Sequence, residues 1–303
     1  MAGRALVLGG GGVTGVAWEL GLLAGLAERG IDLTTADLIV GTSAGAIVGA
    51  QVTSGTGLPD LYRAQLQPPD GDVAARIGAW VKFRYALALA SSRDPVRTRA
   101  RLGRMAAPAI SEARRRAVIE SRLPSHGWPA RRLLITAVDA DSGESAVFEA
   151  SSGVDLVDAV SASCAVPGVW PPVAIGGRRW MDGGMRSASN ADLAAECGRI
   201  VVLAPVAQGF RATIPSVARQ VMDLNSGGRS VVAITPGRAA LTAIGRNLLD
   251  PARREPAARA GYAQAPAAAA EVAAVWADGS ARAAKAATIA ESPGPCGPGD
   301  SWS

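Results

Sequence analysis

The first fifty residues change hydrophobic period twice. An unbroken apolar run, Ala5-Leu6-Val7-Leu8, predicts a buried strand. After four glycines, Val16, Leu20, Leu23 and Ala27 recur on one face of a helix running from Val13 to about Arg29 and closed by Gly30. Leu38-Ile39-Val40 predicts a second strand, which enters Gly41-Thr42-Ser43-Ala44-Gly45 and a small-residue helix ending near Val52. Strand, helix and strand at this spacing read as a βαβ unit, hence a parallel sheet covered by helices. From about residue 57 to 129 the pattern is helical and interrupted by prolines, as expected of an insertion or cap on the sheet.

Strand signals return at Leu133–Val138 and Ser145–Glu149, which read as a pair joined through Asp141-Ser142-Gly143, and again at Arg179–Met181, Arg199–Ala204 and Ser230–Thr235. Helices are expected over Leu156–Ala162, Ala239–Leu249 and Pro266–Ala290. Residues 1–290 then form one α/β domain and 291–303, rich in Pro, Gly and Ser, a flexible tail.

At 303 residues and 49% hydrophobic content the chain can bury a large core, which excludes disorder over most of its length. No uninterrupted apolar run approaches the ~18 residues of a membrane span, and the N-terminus has no basic segment leading into an apolar one. A cytoplasmic protein is expected. Cys164, Cys197 and Cys296 lack the spacing of a zinc site or a disulfide framework, so no metal is expected. Charge is concentrated: residues 82–132 carry 13 Lys/Arg against Asp94, Glu112 and Glu120, a net of +10 in a chain of net +5. Interleaved with apolar residues, that charge suits either peripheral contact with anionic lipid at the inner membrane face or a solvated basic face. No pattern of a nucleic-acid-binding fold accompanies it.

The chemistry begins at Gly41-Thr42-Ser43-Ala44-Gly45. GxSxG between a strand and a helix is the context of a nucleophile elbow, in which Gly41 and Gly45 let strand and helix pack closely and Ser43 sits at the helix N-terminus. Taken without its context, the pattern also fits a helix cap in a glycine-rich turn. The earlier loop, Gly9 to Gly15, admits three readings. A dinucleotide fold would use Gly10, Gly12 and Gly15 but needs an acid where Val40 meets Gly41, and a phosphate-binding loop needs Lys and Ser/Thr where Val16-Ala17 stand. What is left is an oxyanion hole built from the N–H groups of Gly10, Gly11 and Gly12.

A serine nucleophile needs a base. The one histidine, His126, lies in a loop flanked by Pro124 and Pro129, a poor place for a triad member. Asp182, in Asp182-Gly183-Gly184 after a strand, is the candidate carboxylate, since Gly183 and Gly184 permit close approach to Ser43. A carboxylate can serve as base if burial raises its pKa.

Taken together, Gly10-Gly11-Gly12-Val13-Thr14-Gly15, Gly41-Thr42-Ser43-Ala44-Gly45, Ser163 to Pro172 and Asp182-Gly183-Gly184 resemble the ordered blocks of bacterial patatin-like phospholipases. The C-terminal strand and helices look like those of actinobacterial members. The resemblance implies a three-layer α/β/α fold with a mostly parallel sheet and a helical cap. It also implies a Ser43–Asp182 dyad, a glycine-loop oxyanion hole, hydrolysis of lipid acyl esters and no cofactor. Many members have Arg or Lys where this chain has Thr14, a charge thought to order the oxyanion loop or bind an anionic substrate; its loss bears on rate and phosphate preference. Asn190 reads either as a tether of the Asp182 loop or as a turn former. The alternatives are an acyltransferase on a related fold, which would want a histidine beside the nucleophile, and a weakly catalytic lipid-binding protein.

Overall fold

A computed structural model describes residues 3–68, 75, 78–90, 92–105, 110–208 and 214–277. Strands β1 (Arg4–Leu8), β2 (Leu38–Gly41), β3 (Arg132–Asp139), β4 (Ser145–Phe148), β5 (Val173–Ile175), β6 (Arg178–Asp182), β7 (Arg199–Leu203) and β8 (Ser230–Ile234) form one sheet in the order β5-β6-β3-β2-β1-β7-β8, with β4 paired to β3 off that path. The β3-β2-β1-β7-β8 run is parallel, while β3-β4, β3-β6 and β5-β6 are antiparallel.

Both faces of this sheet are covered, which is why its strands read as continuous apolar runs. Side chains alternate between two cores. Leu6, Leu8, Ile39, Leu133, Ile135, Val201 and Leu203 pack under helices α1 (Gly12–Ala27), α2 (Ala44–Val52), α7 (Leu156–Ser163), α9 (Arg238–Ile244) and α10 (Arg254–Trp276). Ala5, Val7, Leu38, Val40, Leu134, Ile200 and Val202 face α8 (Val217–Ser226) and a 3₁₀ turn over Ala191–Ala194. The fold is a three-layer α/β/α sandwich. Helices α3 (Leu58–Leu66), α4 (Ala79–Ala90), α5 (Pro95–Gly103) and α6 (Glu112–Glu120) fall within the stretch read as the insertion.

Two sequence expectations need correction, and two elements went unanticipated. The last helix begins at Arg254 and carries Pro266 inside it. A proline there removes one helical hydrogen bond, but α10 is held along its length against α1, where Gly21 and Gly261 let the backbones meet. Residues 278–303, with the expected helix end and the tail, lie outside the described residues. Helix α9 stops at Ile244 because Gly245 takes φ +73° and turns the chain. Helix α8 and the short strand β5 carry too weak a pattern to be anticipated, and tertiary pairing decides them.

Candidate active site

The site lies where β1, β2 and β6 end. Thr42 and Ser43 follow β2, and Ser43 takes φ 54°, ψ −112°, a region a side-chain-bearing residue rarely occupies. Its strain is over-determined from several sides. The Ser43 N–H donates to Ser163 Oγ at 2.9 Å, and the Ser43 carbonyl accepts from Cys164 Sγ at 3.2 Å and from the Ala46 N–H at 3.0 Å. Ser163 and Cys164 come from the end of α7, in the Ser163–Pro172 block that carries part of the family resemblance. A side chain at Gly41 would lie 2.7 Å from the Ala46 Cα, and one at Gly45 would collide with the Leu8 carbonyl, so both glycines of the elbow are needed for close packing.

Asp182 ends β6 beside Ala137 of β3. Its N–H donates to the Ala165 carbonyl at 3.0 Å, and its Oδ1 accepts from the Gly184 N–H at 2.7 Å. Gly183 packs on Thr136, with no room for a Cβ. Burial pushes the Asp182 carboxyl up to about 6; the Gly184 N–H, the Ser43 hydroxyl and the Arg115 charge oppose that rise without cancelling it. No hydrogen bond of 3.5 Å or shorter joins Ser43 Oγ to Asp182, although the hydroxyl is close enough to favour the ionised carboxylate. Contacts of this kind tighten as proton transfer begins.

Asn190 serves both of its anticipated roles. It sits at φ 53°, a conformation Asn tolerates, and its Nδ2 donates to Ser187 O at 2.9 Å, Thr42 Oγ1 at 3.0 Å and Gly183 O at 3.3 Å. One amide therefore ties the Asp182 loop to the elbow. Gln220 of α8 supports the same loop, its Oε1 accepting from the Ala191 N–H at 2.7 Å and its Nε2 donating to Ser187 Oγ. The sequence reading missed Gln220 because it missed α8.

Gly10, Gly11 and Gly12 line the same cavity as Ser43 and Asp182. The Gly10 N–H donates to Ala188 O at 2.8 Å, which ties the glycine loop to the loop that follows Asp182. Among the described residues, the N–H groups of Gly11 and Gly12 have no acceptor. Gly12 takes φ +61°, where a side chain would also strike the Leu248 carbonyl. Gly15 is pressed against Ala44 and Pro205, each 3.3 Å from where its Cβ would be. Thr14 is fully buried, and its Oγ1 lies 3.3 Å from Leu248 O and 3.5 Å from Gly11 O. It is a prop beneath the glycine loop and offers no charge.

The cavity has a volume of about 520 Å³. Its apolar walls come from Val13, Ile47, Val166, Trp170, Met185, Ile214, Leu248 and Leu249, so segments far along the chain complete it. Arg115 and Arg122 also line it, and the Arg115 guanidinium stacks 4.1 Å from the Trp170 ring centroid. Tyr85 of α4 reaches in and donates to the Pro167 carbonyl at 2.9 Å; burial pushes its hydroxyl pKa up. His126 is exposed beside Glu120, away from the cavity lining. Among the described residues no three His, Cys, Asp or Glu side chains come together as a metal site.

Comparison with known proteins gives a match to the family described as patatin-like phospholipase over residues 6–195. None of the curated proteins matches this chain. Among solved structures, the chain is similar to VipD from Legionella pneumophila at 15% identity and a TM-score of 0.47, with 91% of this chain and 67% of that one covered. It is also similar to the type III effector ExoU at 15% identity and a TM-score of 0.39, with 91% and 54% covered. The chain thus spans about two thirds of the first protein and about half of the second.

Proposed function

This chain belongs to the patatin-like phospholipase family, and on that premise we propose that it is a serine lipid acyl hydrolase working through Ser43 and Asp182. The observation that carries the reading is a serine held at positive φ on an elbow, beside a buried carboxylate, at the wall of a largely apolar cavity. With a pKa of about 6, Asp182 is mostly ionised at neutral pH, yet far more basic than an ordinary carboxylate. It takes the proton of Ser43 Oγ as that oxygen attacks the ester carbonyl carbon. The resulting oxyanion is met by the Gly11 and Gly12 N–H groups at the start of α1, where the helix dipole adds to their effect. Collapse breaks the bond to the alkoxy oxygen, which leaves as an alcohol with the proton from Asp182, and the acyl group remains on Ser43. Water then attacks the acyl-enzyme, gives one proton to Asp182 and releases the fatty acid, and the proton returns to Ser43.

No cofactor enters these steps. The exposed His126 gives an acyltransferase reading no support, and the burial of Thr14 leaves the backbone donors of the oxyanion hole in place. The narrower likeness to actinobacterial members rests on the C-terminal elements alone. We place the protein in the cytoplasm and peripheral to anionic membrane, a reading supported by α4, where Phe83 and Leu87 are each 56% exposed beside Arg84. Among the described residues no helix is long and apolar enough to cross a membrane.

The test is labelling by a fluorophosphonate probe together with p-nitrophenyl ester hydrolysis. Wild type is expected to react and turn over, Ser43→Ala to do neither, and Asp182→Asn to lose at least about 10³-fold in kcat/KM, as when one member of a catalytic unit is removed. Unlabelled wild type, or Ser43→Ala with full turnover, would sink the reading.

A further inference from the structure

Residues 187–190, which follow the Asp182 turn, are buried and touch every part of the candidate site. Ala188 O accepts from the Gly10 N–H at 2.8 Å and so holds the glycine loop. Ser189 O accepts from Thr42 Oγ1 at 3.4 Å, and Thr42 Oγ1 in turn accepts from Asn190 Nδ2, so the segment reaches the elbow one residue before Ser43. Asn190 Nδ2 also donates to the carbonyl of Gly183, one residue after Asp182. Four consecutive residues thus fix the glycine loop, the serine and the carboxylate against one another. They do so without belonging to a helix or strand and with Asn190 at φ 53°, so their shape depends on where their polar groups find partners.

Gln220 of α8 supplies such partners to both ends of the segment. Its Oε1 accepts from the Ala191 N–H at 2.7 Å and from Ser189 Oγ at 3.4 Å. Its Nε2 donates to Ser187 Oγ, the same oxygen that accepts from the Asn190 N–H at 3.0 Å. The side chain is 6% exposed and shares one face of α8 with Val217 and Leu224, which anchor that helix in the core under β7. An amide suits the position because it carries an acceptor and a donor together; a carboxylate lacks the donor and an apolar side chain lacks both. Gln220 is not among the described residues that line the cavity, and it lies outside the residues 6–195 that match the family. We infer that Gln220 is a positioning residue, which clamps segment 187–190 from α8 and thereby sets the mutual placement of the glycine-loop donors, Ser43 and Asp182. Its catalytic consequence rests on the acyl-hydrolase reading; its effect on the three loops does not.

The experiment compares wild type, Gln220→Leu and Gln220→Glu by p-nitrophenyl ester kinetics, by the rate of fluorophosphonate labelling and by amide hydrogen exchange. Gln220→Leu is expected to lose about 10- to 100-fold in kcat, the scale of a small misplacement of reacting groups, with KM within about 2-fold of wild type. Labelling should slow in parallel. Gln220→Glu keeps the acceptor for the Ala191 N–H without the amide donor to Ser187, and is expected to recover part of the loss. Exchange in Gln220→Leu should quicken about 10-fold or more at the Gly10, Asn190 and Ala191 amides, while the amides of β1 and β2 keep their wild-type protection. A folded Gln220→Leu with kcat within about 2-fold of wild type, or one whose whole loss lies in KM, overturns the proposal, as does unchanged exchange at Gly10. If Gln220→Leu fails to fold, Gln220→Met and Gln220→Glu are read by the same criteria. A wild type that neither labels nor turns over would sink the hydrolase reading, and exchange that still quickens at Gly10 and Ala191 would leave the clamp standing.

Discussion

Asp182 carries the largest consequence of any single residue. A carboxyl raised from 3.8 to about 6 binds its proton more tightly in the folded protein than in the unfolded chain. Stability therefore falls as pH rises through that interval and stays at the lower level above it, whereas in the proposed mechanism activity, which needs the ionised base, rises through the same interval. Asp182→Asn should abolish turnover and yet raise Tm relative to wild type at pH 8, a gain of at most about 3 kcal/mol from ~1.4 kcal/mol per pKa unit, vanishing toward pH 4. Thermal unfolding of the two proteins across pH 4 to 8 checks it, and a constant difference would refute it. Burial raises the Glu19 carboxyl in the same direction, but Glu19 is common to both proteins and cancels in the comparison. The neighbouring Cys164 thiol, pushed up to about 12 by burial, stays protonated and acts as a donor to the elbow, not as a second nucleophile.

At the scale of elements, the contact between α1 and α10 holds the glycine loop from behind. A Cβ at Gly21 would collide with the Ala258 carbonyl, one at Gly261 with the Trp18 carbonyl, and one at Gly25 would lie 2.7 Å from the Ala265 Cβ. These three glycines let the two helices cross at backbone contact, and α1 begins at Gly12, inside the glycine loop. Gly261→Ala should lower stability by about 1–3 kcal/mol, the usual range for overpacking, despite alanine's better helix propensity. It should also lower kcat more than KM, because α1 carries the Gly12 N–H proposed as an oxyanion donor. Urea unfolding and steady-state kinetics test this, and a variant as stable as wild type would show that the helices can separate without strain. The loop after α9 belongs to the same assembly, since Leu248 O accepts from the Thr14 N–H at 3.2 Å and fixes the first turn of α1.

For the molecule as a whole, the basic stretch divides its charge. Arg115 and Arg122 turn inward to the cavity, Arg116 pairs with Asp158 at 2.5 Å and Glu120 at 3.1 Å, and Arg132 pairs with Glu149 and Glu196. Among the described residues, α4 carries Arg84 outward with the exposed Phe83 and Leu87. Each basic residue at an anionic surface contributes about 1 kcal/mol, so binding should be modest and should need the apolar pair as well. Sedimentation with anionic vesicles should show binding that weakens strongly between 50 and 500 mM salt, as the Debye length falls from about 14 to about 4 Å, and that drops about 10-fold in Phe83→Asp. Equal binding to neutral vesicles would overturn it.

Much of the site was legible in the linear order of residues, because its parts are local. A strand, a glycine-flanked serine and a helix dictate an elbow wherever they occur, and a glycine loop at a helix start exposes backbone donors. The choice of Asp182 could be reached by discarding His126. Tertiary structure alone decided what depends on residues far apart in the chain. It committed the Gly10 N–H to Ala188, ran α10 through Pro266, and brought Leu248 onto the loop that begins α1. It also turned two arginines of a basic surface stretch into the walls of a cavity, since the direction in which a side chain points is set by what packs around it.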